Sequence, residues 1–175
     1  MPAALTRKNL LARGGAAVLA ASVPAALRPV RAAAAPPPDN DLAYTRLLVA
    51  VELLTADFYG KALAAKRFGR ATTDDLKRAQ ADEKRHYEAV ATILSDAGQT
   101  PATADDIDFA YPKGAFASKG SIARLGMKIE HIALGAYLGA VGGYQTDALK
   151  LPAAQIAANE AQHLGVFTAD RKSVV

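Results

Sequence analysis

The sequence of 175 residues contains no cysteine and no tryptophan. Without cysteine the chain can form no disulfide bond, thiolate nucleophile, iron–sulfur cluster or cysteine-ligated zinc site. Any metal must therefore be bound through nitrogen and oxygen. The sequence also lacks an alternating apolar pattern of strand length, and its length suits one domain. These absences favour a single all-α domain.

Acidic residues are missing from the first 35 positions, which hold five of the 21 lysines and arginines. The other 16 basic residues face 17 acidic ones, so residues 36–175 carry a net charge of −1. The formal charge of +4 therefore comes from the five basic residues among the first 35. A nucleic-acid-binding domain is not expected, since such domains are themselves basic.

Residues 1–35 have the layout of an export signal. A basic start precedes an apolar run from Gly14 to Leu27, and small residues at Ala33 to Ala35 offer a cleavage site. The run is shorter than the roughly 20 residues that a spanning helix needs, so we expect a cleaved signal and no stable membrane span.

The segment Thr6 to Leu11 resembles the twin-arginine motif, with Lys8 in place of the second arginine. That pathway exports folded proteins to the periplasm, and a general secretory signal stays open as the alternative. The predicted layout is a signal over 1–35, a linker over 36–40, a helical domain over 41–170 and a tail over 171–175.

Helical periodicity and its breaks predict an antiparallel four-helix bundle with a long crossover between helices 2 and 3. The crossover covers residues 99–118, and short links over 69–72 and 150–152 join the other helices. The four predicted helices run from a cap at Asp39, Asn40 or Asp41 to about Phe68; from Thr72 or Thr73 to Ala97; from Ser118 or Ser121 to about Leu149; and from a first turn containing Pro152 to about Asp170.

Each predicted helix carries a carboxylate on its inward, otherwise apolar stripe. Two helices carry Glu-x-x-His, whose spacing places both side chains on one helix face. Each such motif follows a lone glutamate, by 31 residues in the first helix pair and 30 in the second. The chain thus repeats one pattern, and the candidate metal ligands are Glu52, Glu83, His86, Glu130, Glu160 and His163.

Four ionised carboxylates inside a bundle would each cost several kcal/mol unless they were compensated. Two divalent cations balance their charge, while neutral imidazoles complete the ligand set. Such a donor set suits iron first and manganese second. In the usual arrangement of bundle sites, Glu83 and Glu160 bridge the two ions, and Glu52 and Glu130 bind one ion each.

Five further polar side chains lie near the predicted site. Asp82 and Asn159 each precede a Glu-x-x-His and either accept the outer ring N–H of a histidine on the facing helix or are solvated. Tyr59 and Tyr137 either donate to a carboxylate, act as redox-active neighbours or simply fill the core. His131 points away from Glu130 and is expected at the surface.

The third helix is rich in glycine, at Gly135, Gly139, Gly142 and Gly143. Glycine lowers helix stability by up to about 1 kcal/mol at each position. Two explanations stay open: close packing beside the metal site, or an exposed groove for self-association into a homo-oligomer.

These features resemble the ferritin-like superfamily, and within it the exported bacterial ferritin-like domain proteins, some described as desiccation-associated. The resemblance covers roughly residues 41–167 and implies a four-helix bundle with a carboxylate-bridged di-metal site. It assigns the ligand roles to all six candidates. The matching stretches are VELLTADFYGKAL, ADEKRHYEAVATILSDAGQTP, DFAYPKGAF, KIEHIALGAYLGAV and AANEAQHLGVF.

From this we predict an exported di-iron or di-manganese protein of oxidoreductase type, which reacts with O₂ or peroxide or oxidises Fe²⁺. Its partners are then metal ions and a small oxidant. The alternative is a non-catalytic stress or envelope protein whose bundle is stabilised by the metal.

Overall fold

The computed structural model describes residues 36–171, and their side chains as far as residue 168. The predicted signal over 1–35 and all but the first residue of the predicted tail lie outside this part. None of the helices within it is long and apolar enough to cross a membrane.

Four long helices make up the described chain, which contains no strand between residues 36 and 171. The predicted all-α four-helix bundle is thereby confirmed. Its helices are α1 (Asp39–Ala64), α2 (Arg70–Asp96), α3 (Lys119–Gly143) and α4 (Asp147–Arg171).

The link between α1 and α2 lies earlier than predicted. Helix α1 ends at Ala64, not near Phe68, because Lys66 adopts a left-handed conformation with φ of 51°. Helix α2 then begins directly after Gly69, ahead of the two threonines predicted to cap it. Thr73 Oγ1 donates instead to the carbonyl of Phe68, 3.3 Å away.

The link between α3 and α4 spans residues 144–146, not 150–152, so Pro152 falls in the second turn of α4. Asp41 explains the early start of α4. Its buried carboxylate accepts the backbone N–H groups of Gln145 at 2.7 Å and Thr146 at 2.9 Å. It therefore fixes the link that leads into α4 and does not cap its own helix, which Pro38 precedes without a side-chain cap.

The two remaining helix ends follow the sequence more closely. Ser118 caps α3, and its side chain accepts the N–H of Ser121 at 3.1 Å, so both predicted serines act together in a capping box. Helix α2 ends at Asp96, and Gly98 follows in a left-handed conformation with φ of 75°. The helix was predicted to run to Ala97, one residue further.

Helix α1 packs against α2 and α3, α4 packs against α3, and α2 faces α4. Buried apolar side chains form two clusters, one near each end of the bundle. One includes Leu48, Leu94 and Ile156, and the other includes Phe58, Leu76 and Phe167. The middle of the bundle, between these clusters, is where the inward glutamates lie.

The crossover between α2 and α3 contacts both apolar clusters. Ile107 and Phe109 pack against the first, and Tyr111 and Phe116 pack against the second. Tyr111 also donates to Asp57 Oδ2 of α1 at 2.7 Å. The predicted long connection is therefore present and runs along the bundle.

The glycines of α3 have different surroundings. A methyl group at Gly143 would collide with the ring of Tyr44, so this glycine permits a close approach. The same addition at Gly135, Gly139 or Gly142 meets nothing within 4 Å. Close packing thus accounts for Gly143 alone among the four.

Candidate metal centre

All six predicted ligands are buried in the middle of the bundle, and none is more than 5% exposed. Each helix contributes at least one carboxylate, and α2 and α4 each add a histidine. The inward stripes predicted from the sequence therefore place these side chains together: Glu52 on α1, Glu83 and His86 on α2, Glu130 on α3, and Glu160 and His163 on α4.

The six residues form two overlapping groups of four. Within each group, one nitrogen or oxygen atom per residue lies within 4.8 Å of the corresponding atoms of the others. Both groups contain Glu83 and Glu160, while each lone glutamate belongs to one group only. We call them the His86 subsite (Glu52, Glu83, His86, Glu160) and the His163 subsite (Glu83, Glu130, Glu160, His163).

The two shared carboxylates each turn one oxygen toward each histidine. Glu160 Oε1 lies 2.9 Å from His86 Nδ1, and its Oε2 lies 3.3 Å from His163 Nδ1. Glu83 Oε1 lies 2.8 Å from His163 Nδ1, and its Oε2 lies 3.5 Å from His86 Nδ1. A carboxylate in this position can bridge two cations, which is the role predicted for Glu83 and Glu160.

Each of the six residues has one buried polar atom that lacks a hydrogen-bond partner among the described residues. Five of the six atoms still lie within 3.6 Å of an oppositely charged group, and only Glu130 Oε2 has no such contact among the described residues. A buried polar atom without a well-directed hydrogen bond is rare in a folded protein, so six in one place require an explanation. Four carboxylates and two imidazoles facing a common interior fit two divalent cations in donor type and in charge. The atoms are Glu52 Oε2, Glu83 Oε1, His86 Nδ1, Glu130 Oε2, Glu160 Oε1 and His163 Nε2.

Two tyrosines orient the lone glutamates across the bundle. The Tyr137 hydroxyl of α3 donates to Glu52 Oε1 of α1, and the Tyr59 hydroxyl of α1 donates to Glu130 Oε1 of α3. Both rings are fully buried. Burial, together with the nearby carboxylates, raises the pKa of each tyrosine well above its usual range, so both hydroxyls keep their protons.

Asp82 and Asn159 lie behind the histidines of the facing helices, as one of the two sequence readings proposed. Asp82 Oδ2 is 3.5 Å from His163 Nε2, and Asn159 Nδ2 is 3.2 Å from His86 Nε2. An amide can be turned over, which would place the Asn159 oxygen at that position. His131 is exposed, and its Nδ1 lies 2.7 Å from the Met127 carbonyl, away from the cluster.

Thr55 of α1 contacts the site as well, and it was not singled out from the sequence. Its hydroxyl lies 3.2 Å from Glu83 Oε2 and 2.9 Å from the Glu52 carbonyl, so one proton is shared between two acceptors. The signal available in the sequence was its position three residues after Glu52, on the same helix face.

Without metal, the cluster holds protons in place of cations. Burial raises the pKa values of Glu52 and Glu130 well above the usual value for glutamate. Burial alone would lower the pKa of His86, but the contacts with Glu160, Glu52 and Glu83 outweigh it and raise that pKa to about 12. The pKa of His163 is also raised well above its usual value.

Glu83 responds in the opposite direction. Its burial favours the neutral form, but its contacts with His163 and His86 outweigh that effect and hold its pKa below the usual value. The metal-free cluster thus pairs two imidazolium ions with a carboxylate while the lone glutamates tend to stay neutral. Cations that bind there must displace these protons.

A comparison with models of protein families finds one that matches residues 40–172, described as "Ferritin-like domain". The match extends from the first helix to the last and includes all six clustered residues. A comparison with curated proteins finds no match.

Proposed function

Because the chain belongs to the ferritin-like domain family, we propose that it is an exported metalloprotein that binds two divalent cations and carries out redox chemistry. Dioxygen or peroxide is the oxidant, and Fe²⁺ is oxidised. The observation that carries this proposal is the pair of buried four-residue groups that share Glu83 and Glu160, each with one nitrogen or oxygen atom per residue within 4.8 Å of the others.

The donor set guides the choice of metal. Hard carboxylate oxygens outnumber imidazoles, and the chain has no cysteine, so iron or manganese is favoured over structural zinc. The chemistry that a bound pair of such ions supplies is transfer of two electrons to dioxygen or peroxide. This capacity separates the proposed protein from one that only stores or transports metal.

The protein's own residues prepare the site for that chemistry. Glu83 and Glu160 face both histidines and so hold the two cation positions close together. Tyr59 and Tyr137 fix the lone glutamates, each by a hydrogen bond to one carboxylate oxygen. The apolar clusters on either side restrict water, which strengthens the electrostatic attraction between carboxylates and cations.

Oxidation of Fe²⁺ is the direct test of turnover. Metal-free protein is loaded with Fe²⁺ under nitrogen, dioxygen or peroxide is admitted, and the remaining Fe²⁺ is measured with a chromogenic chelator. We expect faster Fe²⁺ loss than in buffer, and a return to the buffer rate in E83Q. Equal rates with and without the wild-type protein would contradict the enzymatic proposal.

A non-catalytic role, in which the metal only stabilises the bundle, is the second candidate. The arrangement of the helices around the site supports it. Each subsite takes its residues from three helices, so bound cations would connect α2 with α4 directly. A large loss of thermal stability on chelation, without any Fe²⁺ oxidation, would identify the metal as a structural element of a stress or envelope protein.

Export to the periplasm is proposed from the sequence of residues 1–35. A reporter fused behind residues 1–40 should leave the cytoplasm of a bacterial host. If the route is the twin-arginine pathway, replacing Arg7 by lysine should block export. Continued export of the R7K fusion would indicate the general secretory route, and retention of the unaltered fusion would contradict export altogether.

A further inference from the structure

We propose that the two subsites are unequal and that the His163 subsite takes up the first cation, because Asp82 supports its histidine with a negative charge. This inference rests on the proposed binding of two cations. It adds an order of filling and a positioning residue that the six ligands alone do not provide.

The groups behind the two histidines occupy corresponding positions but differ in charge. Asp82 and Asn159 each precede the glutamate of a Glu-x-x-His motif, and each lies near Nε2 of the histidine on the facing helix. Asp82 Oδ2 lies at ion-pair distance, 3.5 Å, from His163 Nε2 and makes no hydrogen bond to it. A carboxylate placed beside the outer ring N–H makes an imidazole a stronger donor at its other nitrogen than an amide does. His163 is therefore the better ligand.

A second difference acts in the same direction. Thr55 shares its hydroxyl proton with Glu83 Oε2, the oxygen that faces His86. The corresponding position after Glu130 is Ala133, which has no hydroxyl group to donate to Glu160. Electron density is therefore drawn from a bridging oxygen on the His86 side only, which weakens that oxygen as a ligand.

The remaining groups are matched and do not offset these differences. Each subsite has one lone glutamate held by one tyrosine, and both share the same two carboxylates. Arg85 pairs with Asp82, but the arginine side chain is 52% exposed, so water screens much of its charge. The Asp82 side chain is only 21% exposed and directs its other oxygen to His163.

Stepwise binding of Co²⁺ provides the test, because its visible absorption increases when it enters a protein site. Metal-free protein is titrated anaerobically, and we expect two resolved steps. In D82N the first step should weaken by about 10- to 100-fold, while the second keeps its affinity. Asparagine already occupies the corresponding position 159, so D82N should fold.

Asp75 supplies a matched control on the same helix. Like Asp82, it forms an ion pair with the arginine three residues later, but no ion pair or hydrogen bond to a histidine is found for it in the described structure. D75N should therefore leave both Co²⁺ steps unchanged. The reciprocal variant N159D should strengthen the second step, and this measurement does not depend on how D82N folds.

Assignment of the steps uses the lone glutamates. E130Q should remove the tighter step, and E52Q the weaker one. Two equal steps in the wild-type protein, equal weakening of both steps in D82N, or the reverse assignment would overturn this inference and leave the proposed function standing. Failure of the wild-type protein to bind Co²⁺ would overturn both.

Discussion

Replacing both lone glutamates by glutamine, E52Q/E130Q, is expected to stabilise the metal-free protein and to destabilise the metal-loaded one. Glutamine has nearly the same shape as glutamate, and its oxygen can still accept the hydrogen bond from Tyr137 or Tyr59. At position 52 the new amide NH₂ replaces Oε2, 3.6 Å from His86 Nδ1, so two donors face each other unless that imidazole gives up its proton, and this offsets part of the gain.

In the metal-free state the substitution removes two carboxyl groups whose ionisation the interior opposes. Their pKa values are raised above the usual 4.5, so their contribution to stability is complete below that pH and is lost as rising pH ionises them. At pH 8 these glutamates are ionised in the unfolded chain and must take up protons on folding, a cost of about 1.4 kcal/mol for each unit by which the pKa is raised, which glutamine avoids. After the lost contact with His86 we expect a gain of about 1–2 kcal/mol per site. For a chain of 175 residues, about 2–4 kcal/mol in total corresponds to about 4–16 °C at pH 8.

In the metal-loaded state the sign reverses. A cation present at 100 times its dissociation constant stabilises the folded state by about 2.7 kcal/mol per site, or about 5 kcal/mol for two sites. The variant lacks one carboxylate in each subsite and so gains less. The wild-type protein should therefore melt above the variant with Mn²⁺, and below it with chelator.

The assay is thermal denaturation followed by circular dichroism between pH 5 and pH 8, with Mn²⁺ or with chelator. Glu88 is the one glutamate outside the cluster, and it is exposed on α2, so E88Q serves as the control and should change neither curve by more than about 2 °C. A metal-free E52Q/E130Q that melts below the wild-type protein at pH 8 would refute this reasoning.

Three further predictions concern protons and packing. Loading metal at pH 7 should release at least about two protons per chain, because the pKa values of both cluster histidines are raised. Calorimetry in buffers of different ionisation enthalpy measures the number of protons released. A release of none would contradict protonated histidines. G126A should lower the free energy of unfolding by about 1–3 kcal/mol, because its methyl group would lie 2.7 Å from the Phe167 ring. G135A places its methyl group in open space and should raise the free energy of unfolding by about 0.5–1 kcal/mol. Urea unfolding measures both changes. D41N should lower stability by about 1–2 kcal/mol, because an amide has one acceptor oxygen for the two N–H groups of the α3–α4 link that the carboxylate binds; an unchanged melting temperature would contradict that role.

The fold and the clustering of the site could be predicted because both depend on short-range periodicity. A glutamate and a histidine three residues apart share a helix face whatever the rest of the chain does. Once the four inward stripes are known, antiparallel packing brings Glu52 and Glu130 to the same depth as the two motifs. The crossed contacts of Asp82 and Asn159 follow from the same facing geometry.

The parts that could not be predicted depend on contacts distant in sequence. Asp41 looks like a cap for the helix it begins, and only the folded chain brings residues 145 and 146 to its carboxylate. The end of α1 depends on the left-handed turn at Lys66, a conformation that lysine seldom adopts. The choice between a structural and a polar role for Tyr59 and Tyr137 also required the partner helix.

The most direct test of the account is the metal content of the protein as the bacterial cell makes it. Protein recovered from the cell without added metal is analysed by elemental mass spectrometry, and E83Q, which removes a carboxylate shared by both subsites, is purified in parallel. We expect about two iron or manganese ions per wild-type chain and a marked loss in the variant. Wild-type protein that contains no stoichiometric metal, or the same amount as E83Q, would contradict the central claim that the six clustered residues bind two cations.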